Sequence, residues 1–261
     1  MANYVSSNFG VDKKFLTALW DKAKLFGIDL AVICHKHQIA NPLDFLGERI
    51  PLTLVSPLYD AVEQELQMPE YIYMILAHVK TMEHPLIQLA LCCNTVGEAI
   101  RLLCRYSTIA SDTCRFSMAK KGCEFFIHAQ EHPNIYISPI QIEALLYAGV
   151  RQVRIWANVT TTQNICVHFR HTPRFDIARY VDYFGCPVKF QQPINQVILK
   201  QPMYDFQIPN SDEARANHYK TVLNRYESRY WQRAIYLNAF SNYSFSAWLL
   251  ANLIRLRLPM Y

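Results

Sequence analysis

Cys34, His35 and His37, with Lys36 between the histidines, form the best metal-like grouping in the 261-residue chain. A structural metal site needs a second pair of ligands at matching spacing, and adjacent residues on a helix point in divergent directions. No second pair follows, so the run implies no metal. The eight cysteines (34, 92, 93, 104, 114, 123, 166 and 186) contain no C-x-x-C pair, and Cys92-Cys93 closes the apolar run LIQLALCC, where a thiol acts as a small hydrophobe. Cys186 follows an expected helix C-terminus, where the negative end of the helix dipole opposes thiolate formation. His128, His132, His168 and His171 lie on or beside expected strands, but no carboxylate at a telling spacing marks any of them as a base. A Gly-rich phosphate loop, a G-x-S-x-G elbow and an H-E-x-x-H helix are all lacking. The residue types describe possible ligands without a reaction, so the expectation is a protein that is not an enzyme and uses no cofactor.

Binding is better supplied. Fourteen Phe and sixteen Tyr can build a mostly apolar pocket with a few polar tips, although most of these rings must be core. Arg105 and Tyr106 end an expected helix and can offer a guanidinium and a phenol to a polar ligand group, or simply pack and solvate that helix end. The net charge of +5 is unevenly spread: residues 1–212 balance nineteen basic against nineteen acidic side chains, whereas the last 49 residues carry seven against two. A neutral body gives no electrostatic footprint for nucleic acid, while a basic tail can touch phosphate. Cysteine usage and the lack of an apolar leader point to a reducing cytoplasm. The uncharged stretch 234–254 is long enough to span a bilayer, but its three asparagines and three serines would have to be desolvated, so a tail helix or disordered end is expected and no membrane partner.

Capping signals place the elements. Phe15, Leu16, Leu19, Trp20 and Ala23 share a helical face, with Gly27 as its C′ residue. Ser56-Pro57 reads as a helix start, and Thr95 with Glu98 and Ser138-Pro139 with Gln141 read as capping boxes for helices from 96 and 139. Residues 114–119 and 123–129 form two β-favouring runs at hairpin spacing. In HTPRFDIARYVDYFGCPVKF (171–190), Phe175, Ala178, Val181 and Phe184 form an apolar stripe, Arg174 and Asp182 can face water, Gly185 ends the helix and Pro187 forbids its continuation. The corner thus lays a helix across a sheet before the chain returns as a strand. The fold class expected is α+β: a helical N-terminal half packed with a mostly antiparallel sheet and two crossing helices.

Three segments in order, 49–66, 94–112 and 171–203, resemble the N-terminal ligand-sensing domain of AraC/XylS-type transcription regulators, in the arabinose-binding or ornithine-utilisation-regulator-like branch. The residues that carry the resemblance are Thr95, Gly97 and Glu98 leading into a helix that ends in Arg105-Tyr106, then Tyr180, Phe184, Gly185, Pro187 and Phe190. His171 matches a further family position, where its fit to the helix start suggests a structural hydrogen bond. The resemblance covers roughly residues 20–210. It implies a cytoplasmic sensor for an unknown small metabolite, with Arg105, Tyr106 and His171 as candidate ligand contacts. It also implies pairing as a homodimer or a heterodimer with related regulators. A sensing domain over 1–210 would precede a basic, aromatic tail over 211–261. The family's pair of helix-turn-helix units would need at least about 80 residues, more than the 51 that follow Asn210. A truncated or frame-shifted remnant, with DNA binding at most weak or through a partner, is therefore expected there.

Overall fold

The chain opens with a short strand β1 (Gly10–Asp12) feeding directly into α1 (Lys13–Ala23), as shown by a computed structural model that describes residues 9–79, 84–132 and 134–238. Asp12 caps α1 by accepting from the Lys14 N–H, and Leu16, Leu19, Trp20 and Ala23 are buried on one face as their spacing requires. Gly27 then adopts the left-handed conformation. A second helix, α2 (Leu30–Lys36), carries the Cys-His-Lys-His run; Cys34 is buried, and His37 Nε2 lies 2.7 Å from Glu65 Oε1.

Strand β2 (Arg49–Pro51) pairs with β1 and leads into α3 (Leu52–Leu66). This helix corrects the expected start at Ser56-Pro57. It begins five residues earlier, at Leu52 instead of Pro57, because the Leu52 N–H donates to the Phe9 carbonyl, so the first turn is fixed by the segment that leads into β1. Ser56 lies inside the helix, fully buried, and donates to Gln141 Oε1 at 2.7 Å. A tertiary partner thus satisfies the hydroxyl that would otherwise have capped, and the helix carries Pro57 in its interior despite the lost backbone bond. Helices α4 (Tyr71–His78) and α5 (Pro85–Cys92) follow.

Helix α6 (Val96–Ala110) starts at 96 with Thr95 Oγ1 accepting from the Glu98 N–H, while Glu98 reaches back one residue beyond the cap, to the Asn94 N–H. Gly97 is needed for close approach, since a Cβ there would fall 2.4 Å from the Tyr204 ring, which is itself stacked on Phe125 at 3.5 Å. The stacked ring cannot yield without losing that contact. Gly97→Ala is expected to cost about 1–3 kcal/mol through overpacking, seen as a lower urea midpoint at an unchanged m-value.

The sheet has five strands in the order β3 (Cys114–Lys121), β4 (Glu124–Glu131), β7 (Gln196–Lys200), β5 (Ile165–His168) and β6 (Val188–Lys189). Only β5 and β6 run parallel, which makes the sheet mostly antiparallel. The β3–β4 hairpin turns at Gly122-Cys123, with Lys121 opposite Glu124. Cys114, Phe116 and Met118 share the sheet's inner face with Phe125, Ile127, Val197, Leu199, Ile165 and Val167 through the register of the pairs. Helix α7 (Pro139–Trp156) packs behind that face, capped by Ser138 accepting from the Ile140 N–H.

The helix-to-strand corner forms α8 (Ile177–Phe184), closed by Gly185 at φ +60°. A Cβ at Gly185 would also sit 2.3 Å from both Arg154 Cζ and the Thr160 carbonyl, so conformation and space both demand glycine. The stripe differs from the sequence reading: Ala178 and Val181 are exposed, while Tyr180, Tyr183 and Phe184 face in. The reason is Tyr73 of α4, which stacks on Tyr183 at 4.9 Å and meets Tyr180 and Phe184 edge-on. Arg174, expected to face water, points inward for the reason given below. After the short α9 (Gln201–Tyr204), α10 (Glu213–Asn238) lies against α5 and α6. Most of the 234–254 stretch lies outside the described residues. No helix among the described residues is long and apolar enough to cross a membrane.

Candidate ligand cavity

A cavity of about 350 Å³ lies between α1, α5, α6, α7 and the inner face of the sheet. Its walls are mostly aliphatic: Leu16 and Leu19 from α1, Leu86 and Ala90 from α5, Ile100 and Leu103 from α6, and Ile127, Ile165, Val197 and Leu199 from the strands. Phe15, Tyr59, Phe116 and Trp156 are the aromatic contributors. The aromatic supply visible in the sequence is largely spent elsewhere, in the cluster that joins α4, α7 and α8 around Tyr73.

The polar groups on the lining mostly satisfy one another. Gln141 Oε1 accepts from Ser56 Oγ, Gln141 Nε2 donates to Thr113 Oγ1 at 2.6 Å, and the Thr113 and Ser111 hydroxyls share a hydrogen bond at 2.7 Å. Ser107 Oγ donates back to the Cys104 carbonyl. Burial pushes the Cys104 thiol up to about 12, so it faces the cavity as a neutral group. Arg151 is the one charged side chain among the described lining residues, and its Nη2 donates to the Ala77 carbonyl.

None of the three candidate contacts named from the sequence lines this cavity. Tyr106 Oη donates to Asn224 Oδ1 at 2.7 Å, and Arg105 meets Asn224 and Glu227, so both residues hold α10. Ala216 and Leu223 of α10, with Tyr219 beside them, bury against Leu86, Leu89, Cys92, Tyr106 and Ile109. These positions at i, i+3 and i+7 give α10 a narrow apolar seam. His171 lies instead beside a buried charge cluster, with Nε2 3.4 Å from Glu143 Oε1 and Nδ1 against the Thr172 carbonyl.

That cluster centres on Glu143 of α7, which is fully buried. It accepts from Tyr73 Oη at 2.7 Å, from Tyr180 Oη at 2.9 Å and from two nitrogens of Arg174, which also bridges to Glu63 of α3. Burial, and then the Glu143 charge, holds both phenols protonated far above the usual tyrosine range. Burial also pushes the Glu63 carboxyl up, against the pull of Arg174. Glu143, Arg174, Tyr73, Tyr180 and Glu63 find partners within α3, α4, α7 or the 171–180 segment, so the cluster ties elements together, while the buried His171 Nε2 beside it makes no hydrogen bond.

A helical layer closed over a mostly antiparallel sheet, with an apolar chamber between them, makes a domain of α+β type. A family model, the arabinose-binding domain of AraC transcription regulators at their N-terminus, matches residues 27–206, and the chain belongs to that family. It is a domain of transcription regulation. The fold is similar to that in a crystal structure of the transcriptional regulator CdpR from Pseudomonas aeruginosa, with a TM-score of 0.53 over 88% of this chain and 70% of that one. At 14% identity that likeness is one of fold. No curated relative matches the chain in sequence.

Proposed function

We propose that the chain senses a small molecule in the central cavity and passes its occupancy to α10 through α5 and α6. One observation carries this reading: α5 and α6 wall the cavity with Leu86, Ala90, Ile100 and Leu103, while Leu89, Cys92, Tyr106 and Ile109 of the same helices bear α10. A ligand that shifts the two helices must change the seat of α10, because packed interfaces respond as units. Arg105, Tyr106 and Lys220, which pairs with Glu98, are then contacts that read the shift. The output acts in transcription, in the cytoplasm, with DNA binding by this chain weak, salt-sensitive and indifferent to sequence.

Thermal unfolding against aliphatic acids, aromatic acids, amino acids and sugars tests the sensing step. A ligand present at 100 times its Kd is expected to raise Tm by about 5 °C or more; a panel that leaves Tm unmoved contradicts sensing. A second reading, an interaction module that modulates a full-length regulator without a ligand of its own, draws on α10, where several side chains outside the seam, Arg225 and Tyr226 among them, are exposed. Light scattering of the chain, alone and mixed with a full-length relative, would then show a larger particle that no panel member alters.

A further inference from the structure

Glycine in the interior of an exposed helix surface is unfavourable relative to alanine, yet Gly149 lies near the middle of α7. Neither a turn nor a close neighbour demands it: its φ is not positive, and a Cβ there would meet nothing within 4 Å. Gly149 also belongs to the cavity lining. Leu145, Ala148, Gly149 and Gln152, at i, i+3, i+4 and i+7, all belong to its lining, and Ala148 and Gly149 are exposed to solvent, so the chamber opens between them and the outside.

The chemistry of the lining narrows what can pass. A sugar or a free amino acid must replace many hydrogen bonds to water, and unpaired polar groups are costly to bury. Ser111, Thr113 and Gln141 are already engaged with one another and with Ser56, the Trp156 indole N–H is a buried lining donor without a partner, and no acidic side chain lies among the described lining residues to meet an ammonium group. The charge present is Arg151, which joins the lining from a different side of α7 than Gly149 and whose Nη2 also donates to the Ala77 carbonyl. Resting on the reading of the cavity as the sensory site, we infer that its ligand is an apolar molecule carrying at most one anionic group, such as a medium-chain carboxylic acid, admitted past Ala148 and Gly149 with its carboxylate towards Arg151.

The full chain is tested by thermal unfolding and titration calorimetry with three probes: decanoic acid, 1-decanol and L-arabinose. Decanoic acid is expected to bind, 1-decanol to bind more weakly, and L-arabinose to leave Tm unchanged. Arg151→Gln weakens decanoic acid by about ten-fold through loss of the charge-assisted contact and leaves 1-decanol unaffected. Gly149→Leu fills the entrance and abolishes binding of both, while Gly149→Ala, which adds one methyl and favours the helix, keeps the fold and most of the affinity. Binding of L-arabinose without decanoic acid overturns the ligand class and leaves the sensory site standing. Decanoic acid binding unchanged in a folded Gly149→Leu protein overturns the entrance. Silence from all three probes together with an unmoved Tm across the broader panel removes the sensory reading itself.

Discussion

Replacing Glu143 by alanine is expected to cost about 3–5 kcal/mol of folding stability, the magnitude that follows when one partner of a buried ion pair is removed. The variant leaves the Arg174 guanidinium buried with only Glu63 for a counter-charge, and it strands the Tyr73 and Tyr180 hydroxyls, whose acceptor is Glu143. A domain holds only about 5–15 kcal/mol in total, so the protein should unfold at far lower urea and lose much of its soluble yield. The paired variant Glu143→Leu with Arg174→Met removes both charges and should cost clearly less than the sum of the two single changes. Additivity of the two would show that the charges do not act together.

Acidification is expected to remove up to about 3 kcal/mol between pH 6.5 and pH 4 through His84 alone. His84 is buried at the start of α5, where Nδ1 accepts from the Leu86 N–H and the ring packs on Phe15. Burial lowers its pKa to about 4, reinforced by Lys14 and Arg49 and opposed by Asp12. Because the folded value is depressed, the unfolded chain takes up a proton from pH 6.5 downward while the folded chain does not until about 4. Stability is therefore fully present above the unfolded pKa and is lost as pH falls through this window. Burial shifts His132 and His168 in the same direction. Asparagine also caps helices well but does not titrate here, so His84→Asn should keep the cap and flatten the dependence of the urea midpoint on pH. An identical slope in the variant would exclude His84 as its source.

Local chemistry was readable from sequence wherever it was self-contained. Thr95 with Glu98, Ser138 with Pro139, the 114–131 hairpin and the Gly185-Pro187 corner each specify backbone geometry within a few residues, and each element starts or stops there. Sequence reading failed where a distant partner decided the outcome. Ser56 looked like a cap because its acceptor, Gln141, is 85 residues away. Arg174 looked solvated because Glu143 and Glu63 are supplied by other helices. Arg105 and Tyr106 were read as the end of a helix, but α6 runs on to Ala110 and Tyr106 is buried, because their partners come from α10, whose seam of Ala216, Tyr219 and Leu223 is only two turns long. The cavity was the least legible feature, since its lining runs from Val11 to Leu199 and is made of aliphatic residues that look like any core. Gly149, inside a helical pattern without a turn to justify it, was the one available signal.

Amide hydrogen exchange, followed by mass spectrometry on the full chain with and without saturating decanoic acid, tests the proposed route from cavity to α10 most directly. Altered protection is expected in three places together: the cavity-facing turns of α7, helices α5 and α6, and residues 213–228 of α10, with α8 and β6 unchanged. Bound ligand that protects α7 while leaving 213–228 at its original rate would contradict the coupling of cavity and output helix.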